Sequence, residues 1–184
     1  MPADYILGLD LGQARDHSAL AVLERVWKPR PKNAERLVGH YAIRHLRRWP
    51  LGASYTTVAA DLNCLVRTPP LRRPVVVVDQ TGVGQAVVDF LNKAQLCASL
   101  ESVVITSGQS VARDTSGAWH VPKRTLVLCL RVLLQCRRLQ VANLPERSLL
   151  IQEMQSTTCR LTDLLEIVDR GLRLYRSPRL LNSL

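Results

Sequence analysis

The stretch Pro74-Val-Val-Val-Val-Asp79-Gln-Thr-Gly-Val-Gly84 decides how this chain folds. Four consecutive β-branched valines are stiff at χ1 and favour extended backbone. An unbroken apolar run, rather than an alternating one, belongs to a strand covered on both faces, which is the habit of parallel sheets. Parallel strands need a crossover, and the sequence supplies one. Thr81-Gly-Val-Gly84 turns into a helical stretch with Val87, Val88 and Leu91 on one side, and Ser102-Val-Val-Ile-Thr106 reads as the next strand. The result is a β-α-β unit whose first strand ends on an acid, Asp79.

Upstream, Tyr5-Ile-Leu-Gly-Leu-Asp-Leu11 is a short apolar run closed by Gly12, which predicts a buried strand with Asp10 at its far end. Ser18 to Trp27 and Arg36 to Trp49 predict two further antiparallel strands. Lys28 to Lys32 carries two prolines, which cannot donate to a ladder, and predicts the loop between them. Ser54 precedes a helical face made by Val58, Leu62, Leu65 and Val66, and Pro69-Pro70 ends it.

Downstream, Ser107 to His120 is polar and predicts a loop or a small exposed hairpin. Pro122 at a first-turn position opens a long apolar helix to Cys136, and Arg137-Arg138 near its end suits the helix dipole. After Leu139 the pattern weakens. Ser148 to Gln155 is helical in pattern, and so is Thr162 to Arg173, with Leu164, Leu165 and Val168 on one face. The expected fold class is α/β, a mixed central sheet of three antiparallel strands followed by parallel strands, flanked by helices.

The 184 residues suit one domain with one core, and 47% apolar against 22% charged residues excludes global disorder. Lysine and arginine outnumber aspartate and glutamate by 25 to 15, a formal net charge of +10. That excess favours a polyanionic partner, nucleic acid ahead of an anionic membrane. Cys64, Cys97, Cys129, Cys136 and Cys159 form no CxxC pair, are odd in number, and read as reduced core thiols rather than a zinc site or a disulfide framework. The amino terminus has no basic start followed by an apolar run, and no uncharged apolar stretch reaches the roughly 18 residues of a membrane span, so a cytoplasmic location is expected.

Asp10 and Asp79 each end an apolar strand before a glycine-containing turn. Carboxylates at the ends of neighbouring strands repel unless a cation lies between them, and hard oxygen ligands suit magnesium or manganese. A pair of such ions roughly 3.5–4 Å apart can clamp the attacking and leaving oxygens of a phosphodiester. The plainer alternative is that both residues start turns.

Three blocks carry a resemblance: Gly8-Leu-Asp10-Leu-Gly12-Gln-Ala-Arg-Asp16-His-Ser-Ala-Leu-Ala21, Val78-Asp79-Gln-Thr-Gly82-Val-Gly84 and Val121-Pro-Lys-Arg124. Together they resemble the nuclease domain of phage large terminase subunits, a ribonuclease H-like family, over roughly Tyr5 to Gln155. The second block is the distinctive one, since many ribonuclease H-like and actin-like proteins begin with Asp-x-Gly. The resemblance implies a nuclease domain over residues 1–155 with a tail over 156–184. It implies a two-metal (Mg2+ or Mn2+) endonuclease of the DNA-packaging type, with Asp10 and Asp79 as catalytic metal ligands. The implied partners are double-stranded DNA and other phage packaging components, in a bacterial host cell.

Asp16 matches an acidic position of the first block, as an additional or outer ligand, and reads equally as a turn residue. Lys123 and Arg124 begin a helix, where they either receive phosphate from DNA or are solvated charges. The family's third carboxylate, from an Asp-Asp pair opening the final helix, has no counterpart after Gln155. Asp163 and Glu166 are the acids on offer there, and a truncated or frameshifted tail is the expected reason. No GxxxxGK[ST] phosphate loop is present, which predicts a free-standing nuclease half without the ATPase. A Holliday-junction resolvase-like nuclease and a non-catalytic DNA-binding or assembly module remain as alternatives.

Overall fold

The structure is a computed structural model that describes residues 4–157 apart from 13–14, 31–32 and 83. In chain order the elements are β1 (Asp4–Asp10), β2 (Ala19–Arg30), β3 (Asn33–Arg48), α1 (Tyr55–Arg67), β4 (Val75–Asp79), α2 (Gly84–Lys93), β5 (Ser99–Thr106), β6 (Ala112–Arg113), β7 (Trp119–Pro122), α3 (Lys123–Gln135), β8 (Leu139–Val141) and α4 (Arg147–Thr157). Among the described residues the strands form one eight-stranded sheet in the order β6-β7-β5-β4-β1-β2-β3-β8. The first three strands are antiparallel, and β4, β5 and β7 continue from β1 in parallel. This is an α/β fold with the expected mixed sheet, flanked by helices and compatible with a ribonuclease H-like arrangement.

The main core lies on one face of the sheet. Leu7 and Leu9 of β1, Leu20 and Val22 of β2, and Val76 and Val78 of β4 are buried there. They pack against Val58, Leu62 and Val66 of α1 and Leu91 of α2. Ser54 caps α1, its hydroxyl oxygen accepting from the Thr57 N–H at 3.1 Å. A smaller cluster lies on the other face towards β3 and β8, where Ile43, Leu139 and Val141 meet Leu134 of α3 and Leu150 and Ile151 of α4. Between these clusters the central strands leave the second face half open.

Several sequence expectations need correction. β2 does not stop at Trp27 but runs through Lys28-Pro29-Arg30, with Pro29 opposite Leu37. Its partner β1 begins, among the described residues, opposite Arg25, so at Pro29 a missing N–H leaves no ladder on that side incomplete. β8 has no counterpart in the sequence reading, because three residues at a sheet edge give too little periodicity to register. Of the two readings of Ser107 to His120, the small hairpin is the one present, with β6 antiparallel to β7, which runs on to Pro122. Pro122 is the cap of α3 rather than its first turn, and Arg137 and Arg138 lie beyond the helix end. Arg137 adopts φ +53°, and its N–H and that of Arg138 bond the Leu134 and Leu133 carbonyls, closing the helix as a Schellman turn.

The cysteines are also placed differently from expectation: Cys64, Cys97, Cys129 and Cys136 are free thiols, but all four are exposed. Cys64 shows why, since α1 buries Leu62, Leu65 and Val66 and turns the residue between them outward. Cys159 and the segment Thr162 to Arg173, with Asp163 and Glu166, lie outside the described residues. No helix among the described residues is long and apolar enough to cross a membrane.

The hairpin turn is organised by Asp114. Its Oδ1 accepts from the Ser116 hydroxyl at 2.7 Å, the Ser116 N–H at 2.9 Å and the Ala118 N–H at 3.0 Å, and its Oδ2 lies 2.8 Å from His120 Nε2. The Ser116 hydroxyl bond, followed by the His120 bond, holds this carboxyl well below the usual carboxylate range. Because the folded pKa is depressed, the stabilisation is complete above the ordinary aspartate value of about 3.9 and drains away as pH falls below it. Protection of the Ser116 and Ala118 amides should therefore fall on acidification below that value, and Asp114→Asn should be less protected at neutral pH without that acid step. In the core, Leu62→Ala should cost about 2–5 kcal/mol in urea unfolding. The same change at Leu128, which is 61% exposed, should cost less than about 0.5 kcal/mol.

Candidate active site

β1 and β4 lie side by side in parallel, and their register pairs Asp10 directly with Asp79. Neighbouring strands are about 4.8 Å apart, so the two backbones hold these residues as close as strands allow. Side chains alternate along each strand. Leu7 and Leu9 point into the main core, as do Val76 and Val78, which turns Gly8, Asp10, Val77 and Asp79 to the opposite face. That face is the floor of an open cavity of about 600 Å³, and both aspartates line it. Leu126 of α3 and Leu149 of α4 contribute its apolar walls.

Gly8 belongs to the floor, and a Cβ added there would meet nothing within 4 Å. Gly12 is different. A Cβ at Gly12 would lie 2.5 Å from the carbonyl carbon of His17, because the loop from β1 folds back over it. The loop is anchored twice: the Gly12 N–H donates to the buried Ser18 hydroxyl at 3.2 Å, and His17 Nδ1 lies 2.8 Å from the Trp49 carbonyl oxygen. Trp49 N–H in turn donates to the Ser18 carbonyl at 2.9 Å. These contacts bring exposed Asp16 to the rim of the cavity that Asp10 and Asp79 line.

The Asp79 turn is tied to β5. One oxygen of Asp79 accepts from the Thr81 N–H at 2.8 Å, the Thr81 hydroxyl oxygen accepts from the Ile105 N–H at 2.8 Å, and the Gln80 N–H donates to the Val103 carbonyl at 2.8 Å. The turn role anticipated for Asp79 is thus real. A carboxylate offers about four acceptor positions, so one hydrogen bond does not use up its capacity for a cation.

Glu146 is the acid that sequence reading missed. It precedes the first residue of α4 and lines the cavity with the three aspartates. Burial pushes the His45 imidazole down, with the Glu146 carboxylate pulling it back up and Arg47 adding to the fall. The available signal was Pro145-Glu146 just before a helical pattern, a common opening that says nothing about chemistry by itself. Arg47 and Arg48 at the end of β3 also border the cavity. Arg47 is engaged elsewhere, bonded to Asp61 at 2.5 Å and stacked over Trp49 at 4.9 Å.

Lys123 and Arg124 are exposed at the start of α3, beyond β7 and so at the same end of the sheet as the aspartates. Arg124 donates to the Gln109 carbonyl at 3.1 Å. Among the cavity's α3 residues it is Leu126, and neither Lys123 nor Arg124, that lines the space. No three His, Cys, Asp or Glu side chains among the described residues lie close enough together to hold a metal ion. Asp10 and Asp79 thus line the cavity as a pair, with no third such side chain clustered tightly with them among the described residues.

The two glycines separate the rigid loop from the open floor. Gly8→Ala should stabilise the chain by about 0.5–1 kcal/mol, since it removes glycine entropy from a strand and meets no neighbour. Gly12→Ala should destabilise it by about 1–3 kcal/mol, because the added carbon overpacks against backbone that cannot swing aside. Urea midpoints of the two variants measure both effects.

No protein-family model, curated protein or solved structure matches the chain, so the geometry of this cavity and the three sequence blocks carry the functional reading alone.

Proposed function

We propose that the chain is a metal-dependent DNA endonuclease acting at the Asp10–Asp79 end of its sheet. The observation that carries this reading is the direct pairing of two carboxylates on adjoining parallel strands, both facing one open cavity. Two acids in that relation gain nothing from each other and are stabilised by a shared cation. Hard oxygen donors suit Mg2+ or Mn2+, and magnesium is commonly held by one or two carboxylates with water and substrate phosphates completing its shell. The donor set seen here fits that habit. Such an ion, when bound, supplies water activation and charge neutralisation at the leaving oxygen.

The rest falls to the chain's own groups. Asp10 and Asp79 would hold the cation, Asp16 and Glu146 would add negative charge at the rim, and the small floor at Gly8 leaves room for a backbone to approach. Lys123 and Arg124 sit where they can draw phosphates towards the same sheet end. The Gly8–Ala21, Val78–Gly84 and Val121–Arg124 blocks support the packaging-type terminase nuclease as the specific kind. The lack of a third clustered ligand among the described residues favours, as the second reading, a non-catalytic DNA-binding module on the same shell.

Plasmid nicking separates the two. The wild-type chain should nick and linearise supercoiled DNA with manganese or magnesium and not with chelator. Asp10→Asn and Asp79→Asn should each lose more than about 100-fold of that rate, the upper end for losing even an outer partner of a metal ligand. Binding without metal-dependent cleavage would instead support the non-catalytic module.

A further inference from the structure

The net positive charge is not spread evenly over the sheet. Asp10 and Asp79 mark the ends of β1 and β4, and the beginnings of those strands mark the opposite end. There, among the described residues, the β2–β3 ribbon runs on past its neighbours. The described part of β1 starts opposite Arg25, and β8 pairs only with Tyr41 to Ile43, so Trp27–Arg30 and their partners on β3 extend as a two-stranded ribbon. Ala19, the residue opposite Asp10, and Arg30 are the two ends of the 12-residue β2, which places the ribbon tip roughly 35 Å from the aspartates.

The ribbon carries exposed Lys28, Arg30 and Arg36, and exposed Arg72 and Arg73 lie just before β4 at the same end. Arg138 joins them, its Nε donating to the Gly39 carbonyl at 2.8 Å. The His40 imidazole registers this crowding. Burial pushes it down first, and Lys28 and Arg138 push it further. Of the acids at this end, Asp4 is paired with Arg25 at 3.0 Å, and Glu35 lies on the ribbon itself. On the ribbon face opposite Lys28, Trp27 and Leu37 are 38% and 40% exposed.

We propose that this end of the sheet is a second nucleic-acid surface, on which the β2–β3 ribbon enters the major groove of a duplex while Arg72 and Arg73 meet its phosphates. A groove about 12 Å wide admits a two-stranded ribbon, and a narrow basic projection fits it better than it fits a flat anionic membrane. The surface needs neither metal nor Asp10, so it does not rest on the nuclease reading.

Binding of the full chain to a short fluorescein-labelled duplex, followed by anisotropy in chelator between about 50 and about 200 mM salt, tests this. The variant K28A/R30A/R36A should bind at least about tenfold more weakly, with a salt slope shallower by about 0.9 for each phosphate that is no longer neutralised. R72A/R73A should weaken binding in the same direction. Lys28→Arg should retain wild-type affinity, and unchanged urea midpoints should show that these exposed changes leave the fold intact. Unaltered affinity and slope in the ribbon variant would overturn the proposal whatever R72A/R73A does. So would equal or tighter binding of the wild type to vesicles of phosphatidylserine and phosphatidylcholine at the same salt, abolished in the ribbon variant. A chain that binds through the ribbon but never cuts would count against the nuclease alone.

Discussion

The parallel pairing of β1 with β4 is the constraint on which the rest of the molecule depends. Strand pairing fixes register, and side-chain alternation then leaves no freedom in which residues share a face. With Leu7, Leu9, Val76 and Val78 committed to the core, Asp10 and Asp79 must emerge together on the other side. A slip of one residue in either strand would bury an aspartate among leucines and valines. The hydrophobic core therefore enforces the juxtaposition of the two acids.

The surrounding structure holds the segments that follow the two acids. The loop after β1 is pinned by Ser18 and by the His17–Trp49 contact, and the turn after β4 is pinned to β5 through Thr81 and Val103. Both acids stand on backbone that cannot drift apart. The cavity above them is bordered by α3 and α4 but not filled, so water or a polar ligand can reach the carboxylates from the open face.

The sheet also separates charge along its strands. Acids gather at the carboxyl ends of β1 and β4, and much of the cationic excess gathers at the ribbon end. Such a distribution gives the molecule a direction in a field.

The sequence by itself determined the elements that rest on local pattern. Val75 to Asp79 had to be a strand because β-branched residues in an unbroken run fit little else, although only Val76 and Val78 are buried, and Ser54 with Val58, Leu62 and Val66 had to open a helix. The placement of Asp10 and Asp79 at strand ends followed from those runs. Where the signal was short or depended on a neighbour, only the tertiary structure decided. Pro29 joins a strand because no described strand lies beyond it, β8 exists because β3 offers an edge, and Cys64 faces outward because the core takes the residues on either side. Glu146 belongs to the cavity only because α4 is packed against the second face, a meeting of residues over a hundred positions apart in the chain that no local periodicity encodes.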